Sequence, residues 1–219
     1  MARKGAADPS GLVLFDKPAG PSSFAIVRDL REKTGARAGH AGTLDPFATG
    51  LLLVLLGSFT KQAQRFVGLP KRYETAVDLS RLTSTGDPEG DVVDEHDPPS
   101  QAELEDRLQA LRGEVDLKIP AASAVKIGGE RAYKLHRKGV AVEMPVRRSR
   151  IDALDVIAYS GETVTLDLRV GSGTYVRSIA AALGGHCRTL RRTEVGPFWV
   201  DEADPERIIP ADDALARLG

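Results

Sequence analysis

The 219-residue chain has one cysteine, Cys187, which excludes an internal disulfide framework and a cysteine-built metal cluster. Its four histidines show no metal-ligand spacing, so no metal and no cofactor are expected. Long apolar runs are missing too. The longest, residues 51–56, falls well short of the roughly 18 residues a membrane span needs. The N-terminus carries Arg3 and Lys4 but no apolar stretch of signal-peptide length before Phe15. Neither an internal repeat nor a low-complexity tract is present. These absences together predict a reducing, cytoplasmic setting away from membranes, with a length that can bury a sizeable core.

An excess of charge of one sign is also missing, since the net charge is −1, but the distribution is uneven. Residues 85–116 hold eleven carboxylates against two arginines, so the rest of the chain carries +8. Basic clusters stand at 134–138, 147–150 and 188–192. A phosphate backbone feels the nearby charge, because beyond a Debye length of about 10 Å the rest is screened. Taken singly, each cluster reads better as an ordinary solvated face.

Periodicity gives the elements. Residues 12–15 and 51–56 read as buried strands. Ser22 or Ser23 caps a helix with Phe24, Val27 and Leu30 on one side and Gly35 as its stop. A helix follows at about 60–69. Tyr73, Thr75, Val77 and Leu79 alternate with Glu74, Ala76 and Asp78, and Val164, Leu166, Leu168 and Val170 with Thr165, Asp167 and Arg169, which predicts two strands. Ser100 and Glu103 form a capping box for an amphipathic helix over 101–112. Val176, Ile179, Ala180 and Leu183 make the stripe of a helix starting near Thr174, and 194–200 reads as a closing strand. The Asp/Gly/Pro-rich stretch 84–99 reads as a surface loop. Residues 119–145 show little pattern beyond a turn or two near 131–138, an excursion of a length usually reserved for a lid or binding loop. The order of elements predicts an α+β fold.

The most informative stretch is Gly39-His40-Ala41-Gly42-Thr43-Leu44-Asp45-Pro46-Phe47-Ala48-Thr49-Gly50. Glycine allows positive φ and proline fixes φ, so this is a stiff, shaped loop against a buried strand. Its one carboxylate, Asp45, is placed either as a nucleophile or as the cap of an Asp-Pro turn.

This loop resembles motif II of the TruB family of tRNA pseudouridine synthases, close to GHxGxLDPxATGxLxxxxG. Five further stretches resemble that family in the same order. They are residues 11–23, with Lys17-Pro18; Lys71-Arg72-Tyr73; Ser123-Ala124-Val125-Lys126 with Gly139; Gly173-Thr174-Tyr175-Val176-Arg177-Ser178; and Leu190-Arg191-Arg192 with Gly196-Pro197-Phe198. The resemblance implies a pseudouridine synthase fold: a central mixed, mostly antiparallel sheet flanked by helices, with an RNA-binding cleft. It implies one catalytic domain over 1–219, an RNA-clamping insertion at 119–145, and no C-terminal PUA domain. The implied reaction isomerises uridine to pseudouridine at position 55, in the TΨC loop of tRNA, with the T-arm stem-loop as partner and the enzyme acting as a monomer. Pseudouridine formation on another RNA, or tRNA chaperoning without catalysis, are the alternative activities.

The resemblance also assigns residues. Asp45 becomes the catalytic carboxylate, Arg177 its counter-charge, and Tyr73 a tyrosine that stacks on the base and takes part in catalysis. Tyr175 and Leu190 become further base contacts, and His40 fills the gap left by the extruded nucleotide. Lys17 supports the loop and reaches a phosphate. Two departures stand out: the stretch between Arg177 and Leu190 is several residues shorter than is typical, and Thr83-Ser84-Thr85 replaces the usual Thr-Asp-Thr.

Overall fold

The strand Thr49–Leu56 is apolar at every position from 51 to 56, so it needs cover on both faces, and all six of those side chains are buried. It lies in the first of two compact units into which the computed structural model divides, Met1–Arg72 with Arg191–Gly219; the second unit is Tyr73–Leu190. The structure describes residues 9–219, so Arg3 and Lys4 lie outside the described residues.

In the first unit, Gly11–Lys17 pairs antiparallel with Thr49–Leu56 along its whole length, Leu12 opposite Leu55 and Leu14 opposite Leu53. The short strand Ile209–Pro210 pairs with the outer edge of Gly11–Lys17. Along the other edge of Thr49–Leu56, Ala38–His40 runs antiparallel to its later residues. Arg191 and Arg192 run parallel to its first two, Thr49 and Gly50. The sheet of this unit is therefore mixed. Leu12, Leu14, Leu51, Leu53 and Leu55 share one core with Phe59, Phe66, Val195 and Phe198.

The helix Ser23–Thr34 contacts Ala38–His40 and Thr49–Leu56. The Ser22 side chain accepts from the Ala25 amide, and Gly35 at φ 69° ends the helix, as expected. Its buried stripe is Ser23, Ile26, Val27 and Leu30, whereas Phe24 is 72% exposed. Val27 and Leu30 are buried as expected, and the expectation for Phe24 is corrected. The helix expected at 60–69 is a 3₁₀ segment, Gly57–Gln62, followed by the short α-helix Ala63–Val67. The expected closing strand 194–200 is a hairpin, because Gly196, at φ 53°, turns the chain so that Phe198 pairs with Val195 and Trp199 with Glu194.

In the second unit, Lys71–Asp78 lies beside Thr163–Val170, followed by Val146–Tyr159 and then Gly113–Lys118. Val146–Tyr159 pairs antiparallel with both of its neighbours. Residue 189 of His186–Val195 meets Lys71–Asp78, Thr75 donating its hydroxyl to the Thr189 carbonyl. Leu154, Val164, Leu166, Leu168 and Val170 are fully or nearly fully buried. The capping box at Ser100 and Glu103 starts the helix Gln101–Ala110. Sheets that are mixed or antiparallel, with helices laid against them, bear out the α+β expectation.

The reading of 84–99 as a surface loop is corrected. Val92–Glu95 forms a strand with Arg81–Thr83, and Asp87 is buried. Within 119–145 the chain makes a two-stranded hairpin, Lys126–Ile127 with Glu130–Arg131, and the helix Ala132–Arg137.

Candidate active site

In the first unit, the loop 41–48 leaves the sheet where Ala38–His40 stops pairing and returns where Arg191 and Arg192 begin to pair. It is held at almost every residue. The Ala41 amide donates to the Leu53 carbonyl at 3.0 Å. The buried Ser23 hydroxyl accepts from the Leu44 amide and donates to the Leu44 carbonyl, both at 2.8 Å. On the far side of Asp45, the Pro46 carbonyl accepts from the Gly20 amide at 2.8 Å and from Lys17 Nζ at 3.1 Å. The Ala48 amide closes a turn onto the Asp45 carbonyl. Asp45 itself is half-buried, with the backbone pinned immediately before and after it. Such a carboxylate is presented without reorganisation of the chain that bears it.

Lys17 is fully buried, and its ammonium donates to the carbonyls of Pro18 and Pro21 as well as Pro46. That geometry braces the loop. It leaves no exposed ammonium for a phosphate, which corrects the expectation that Lys17 binds substrate. Arg192 is the second brace: 1% exposed, it donates from Nε to the Leu51 carbonyl and from Nη2 to the Gly42 carbonyl. A Cβ on Gly50 would lie 2.2 Å from the Arg192 carbonyl oxygen, and Gly50 has φ 102°, so only glycine fits there.

His40 ends its strand half-buried, and its Nδ1 is shielded without a hydrogen-bond partner. Burial, and then the Arg192 charge, hold its pKa below the ordinary 6.5. The same two causes bring the Lys71 ammonium down to about 8.

In the second unit, Tyr73 is buried on the inward face of its strand, in register with Thr75 and Val77. Leu190 is buried as well. Tyr175 precedes the helix Val176–Ala182 and packs against the small core of 119–145 formed by Ile119, Ala132 and Met144. Arg177, in the first turn of that helix, is 3% exposed, which rules out a solvated helix-start arginine. It donates to the carbonyls of Thr85 (2.7 Å) and Ala122 (2.9 Å) and lies 3.4 Å from the Asp87 carboxylate. Ser178 adds a bond to the Lys118 carbonyl. The structure thus joins Tyr175 and Arg177 to the 119–145 segment and to Asp87. The bracing roles of Ser23 and Arg192, and the pairing of Asp87 with Arg177, were not expected from the sequence. Arg192 was visible only as part of a basic cluster and of the closing motif, with no role assigned, and Asp87 only as one acid of a loop.

The basic clusters are less free than composition suggests. Lys138 pairs with Glu130, Arg148 with Glu114, Arg150 with Asp152 and Arg191 with Asp16. Such exposed pairs contribute about 0–1 kcal/mol each, so a phosphate can replace the carboxylate.

Residues 29–176 match the family model for the N-terminal domain of TruB family pseudouridylate synthases. The chain belongs to the TruB family. A tRNA pseudouridine synthase B of Mycobacterium sp. (strain KMS) is 43% identical over 92% of this chain and 72% of its own. One from Syntrophobacter fumaroxidans is 38% identical over 96% of this chain and 76% of its own. Among solved structures, a chain of a Cbf5-Nop10-Gar1 complex superposes with a TM-score of 0.67 and 28% identity, covering 88% of this TruB family chain. This chain spans half the length of that one.

Proposed function

We propose that this TruB family chain isomerises uridine to pseudouridine at position 55 of tRNA. The glycosidic bond from C1′ to N1 breaks, the base rotates, C1′ rejoins at C5, and the proton lost from C5 is balanced by one gained at N1. Nothing in that sum requires an oxidant, a reductant or a metal. A base inside a folded loop cannot react in place, so it is extruded at a cost of a few kcal/mol. Asp45 is the catalytic carboxylate, Arg177 the cation that favours its ionised form, and Tyr73 and Tyr175 hold the base with Leu190 as an apolar wall. His40, kept neutral, takes the place of the extruded nucleotide. The segment 119–145 closes over the T arm, and the enzyme works as a cytoplasmic monomer with one catalytic domain.

The observation that carries this reading is the bracing of Asp45, whose backbone neighbours are held by Ser23, Gly20 and Lys17 within a loop of the family's pattern. A side chain that only capped a turn would not require anchors on both flanks. Tritium release from tRNA carrying 5-³H-uridine, followed by mapping of the modified position, tests it. Asp45→Asn is expected to lose turnover by several decades while tRNA affinity stays within a few-fold. Turnover above about a tenth of wild type would refute the assignment.

A further inference from the structure

Side chains alternate along a strand, so Arg147 and Ser149 share one face of Val146–Tyr159 while Arg148 and Arg150 share the other. Register with the neighbouring strand agrees. Arg148 stands opposite Asp116 and Arg150 opposite Glu114, whereas Arg147 stands opposite Leu117. Arg148 and Arg150 are accordingly neutralised by Glu114 and Asp152. The Arg147 guanidinium has no such partner among the described residues. It lies instead over Gly173, where a Cβ would come within 2.5 Å of Nη2 and 2.7 Å of Cζ.

Gly173 has φ 82° and faces solvent, so the guanidinium lies on bare backbone at an open surface. One residue further, the Thr174 hydroxyl is shielded and has no hydrogen-bond partner. One residue beyond that is Tyr175. An uncommitted guanidinium thus lies against Gly173, and the next residue carries an unspent hydroxyl. Arginine presents a planar fork of donors suited to two oxygens of one phosphate, and the Thr174 hydroxyl, once rotated outward, adds a third donor.

The geometry points to Arg147 and Thr174 as a phosphate subsite that holds the RNA backbone beside the nucleotide contacted by Tyr175. The subsite rests on the pseudouridine synthase reading for the identity of its RNA, and not for its chemistry.

The test uses the full chain and synthetic T-arm stem-loops in which one loop phosphate at a time is replaced by an uncharged methylphosphonate. Affinity is read by fluorescence anisotropy at a single salt concentration. With the wild-type chain, one replacement is expected to weaken binding about tenfold, the loss of a charge-assisted contact. Arg147→Met should show that weakening on unmodified RNA, and the same replacement should then cost nothing further. Arg147→Met should also lower the slope of log K against log salt by about 0.7. Thr174→Val loses no internal hydrogen bond, so its melting temperature should not fall, yet it should blunt the effect of the same replacement. Arg148→Met, on the opposite face, should retain full sensitivity at that position. If every replacement adds its full cost in Arg147→Met or in Thr174→Val, the subsite is overturned. Tritium release on the same RNAs separates the two readings. Coupled binding without turnover would leave the subsite standing and remove the proposed reaction, whereas turnover with fully additive costs would do the reverse.

Discussion

Replacing Ser23 by alanine tests whether the Asp45 loop is held by its distant braces. Ser23 is 1% exposed, and its hydroxyl satisfies both backbone groups of Leu44 at 2.8 Å. Ser23→Ala leaves a buried amide and a buried carbonyl without partners, at about 1–3 kcal/mol each. Alanine's better helix propensity returns roughly 0.5 kcal/mol. The expected net loss is about 2–5 kcal/mol, or roughly 5–15 °C in melting temperature for a chain of this length. Ser22→Ala is the internal control, one residue away. It removes the exposed cap on the Ala25 amide, at about 1 kcal/mol, and leaves Leu44 untouched. Chemical denaturation measures both stabilities, and tritium release measures both turnover rates. Ser23→Ala should lower kcat with little change in KM, because the chain adjacent to Asp45 loosens while no RNA contact is removed. Ser22→Ala should keep kcat. Equal stability losses in the two variants, or full kcat in Ser23→Ala, would refute the bracing argument.

Arg177→Met should destabilise the chain by about 3–5 kcal/mol, since it leaves the buried Asp87 carboxylate facing no cation, and Arg177→Lys should recover much of the stability but not the turnover; denaturation and kinetics on both variants check this. Gly50→Ala should fail to fold or lose more than about 3 kcal/mol, because its methyl group would collide with the Arg192 backbone; thermal melting of the soluble fraction decides it. For His40, whose pKa is lowered on folding, the unfolded chain binds a proton that the folded chain refuses once pH drops below 6.5. The contribution of His40 to stability is therefore complete above that value and is lost as pH falls towards the depressed one. The stability of wild type relative to His40→Gln should decline between about pH 7.5 and about pH 5, and a constant difference would contradict the burial argument.

What was legible in the sequence is what is written locally. The alternation in Lys71–Asp78 and Thr163–Val170, the capping box at Ser100 and Glu103, and the Ser22 and Gly35 caps all involve residues within a turn or a few pleats of each other. Val146–Tyr159 was missed because few of its residues are buried, chiefly Ser149, Ile151 and Leu154, so its alternation is swamped by exposed arginines and a late apolar stretch that stays in solvent. Phe24 was drawn into the helix stripe by hydrophobicity alone, although the helix presents Ile26 to the sheet instead.

The candidate site divides along the same line. Asp45 could be named because its loop advertises itself through three glycines and a proline. Backbone restriction of that kind narrows the loop's conformations without choosing one. The choice is made by Ser23, Lys17 and Arg192, each a buried polar side chain that donates to one loop carbonyl (Leu44, Pro46 and Gly42), and for Arg192 the separation from Gly42 is 150 residues. A buried lysine or arginine is costly unless its hydrogen bonds are met, so each of these ions stabilises the fold only when the loop offers its carbonyls in the one arrangement observed. The loop is therefore specified mutually: its carbonyls solvate the buried cations, and the cations fix the carbonyls. Loosening any one brace should cost turnover and stability together. Substitution of Arg147, proposed to hold a phosphate and bonded by its guanidinium to no described residue, should cost affinity alone.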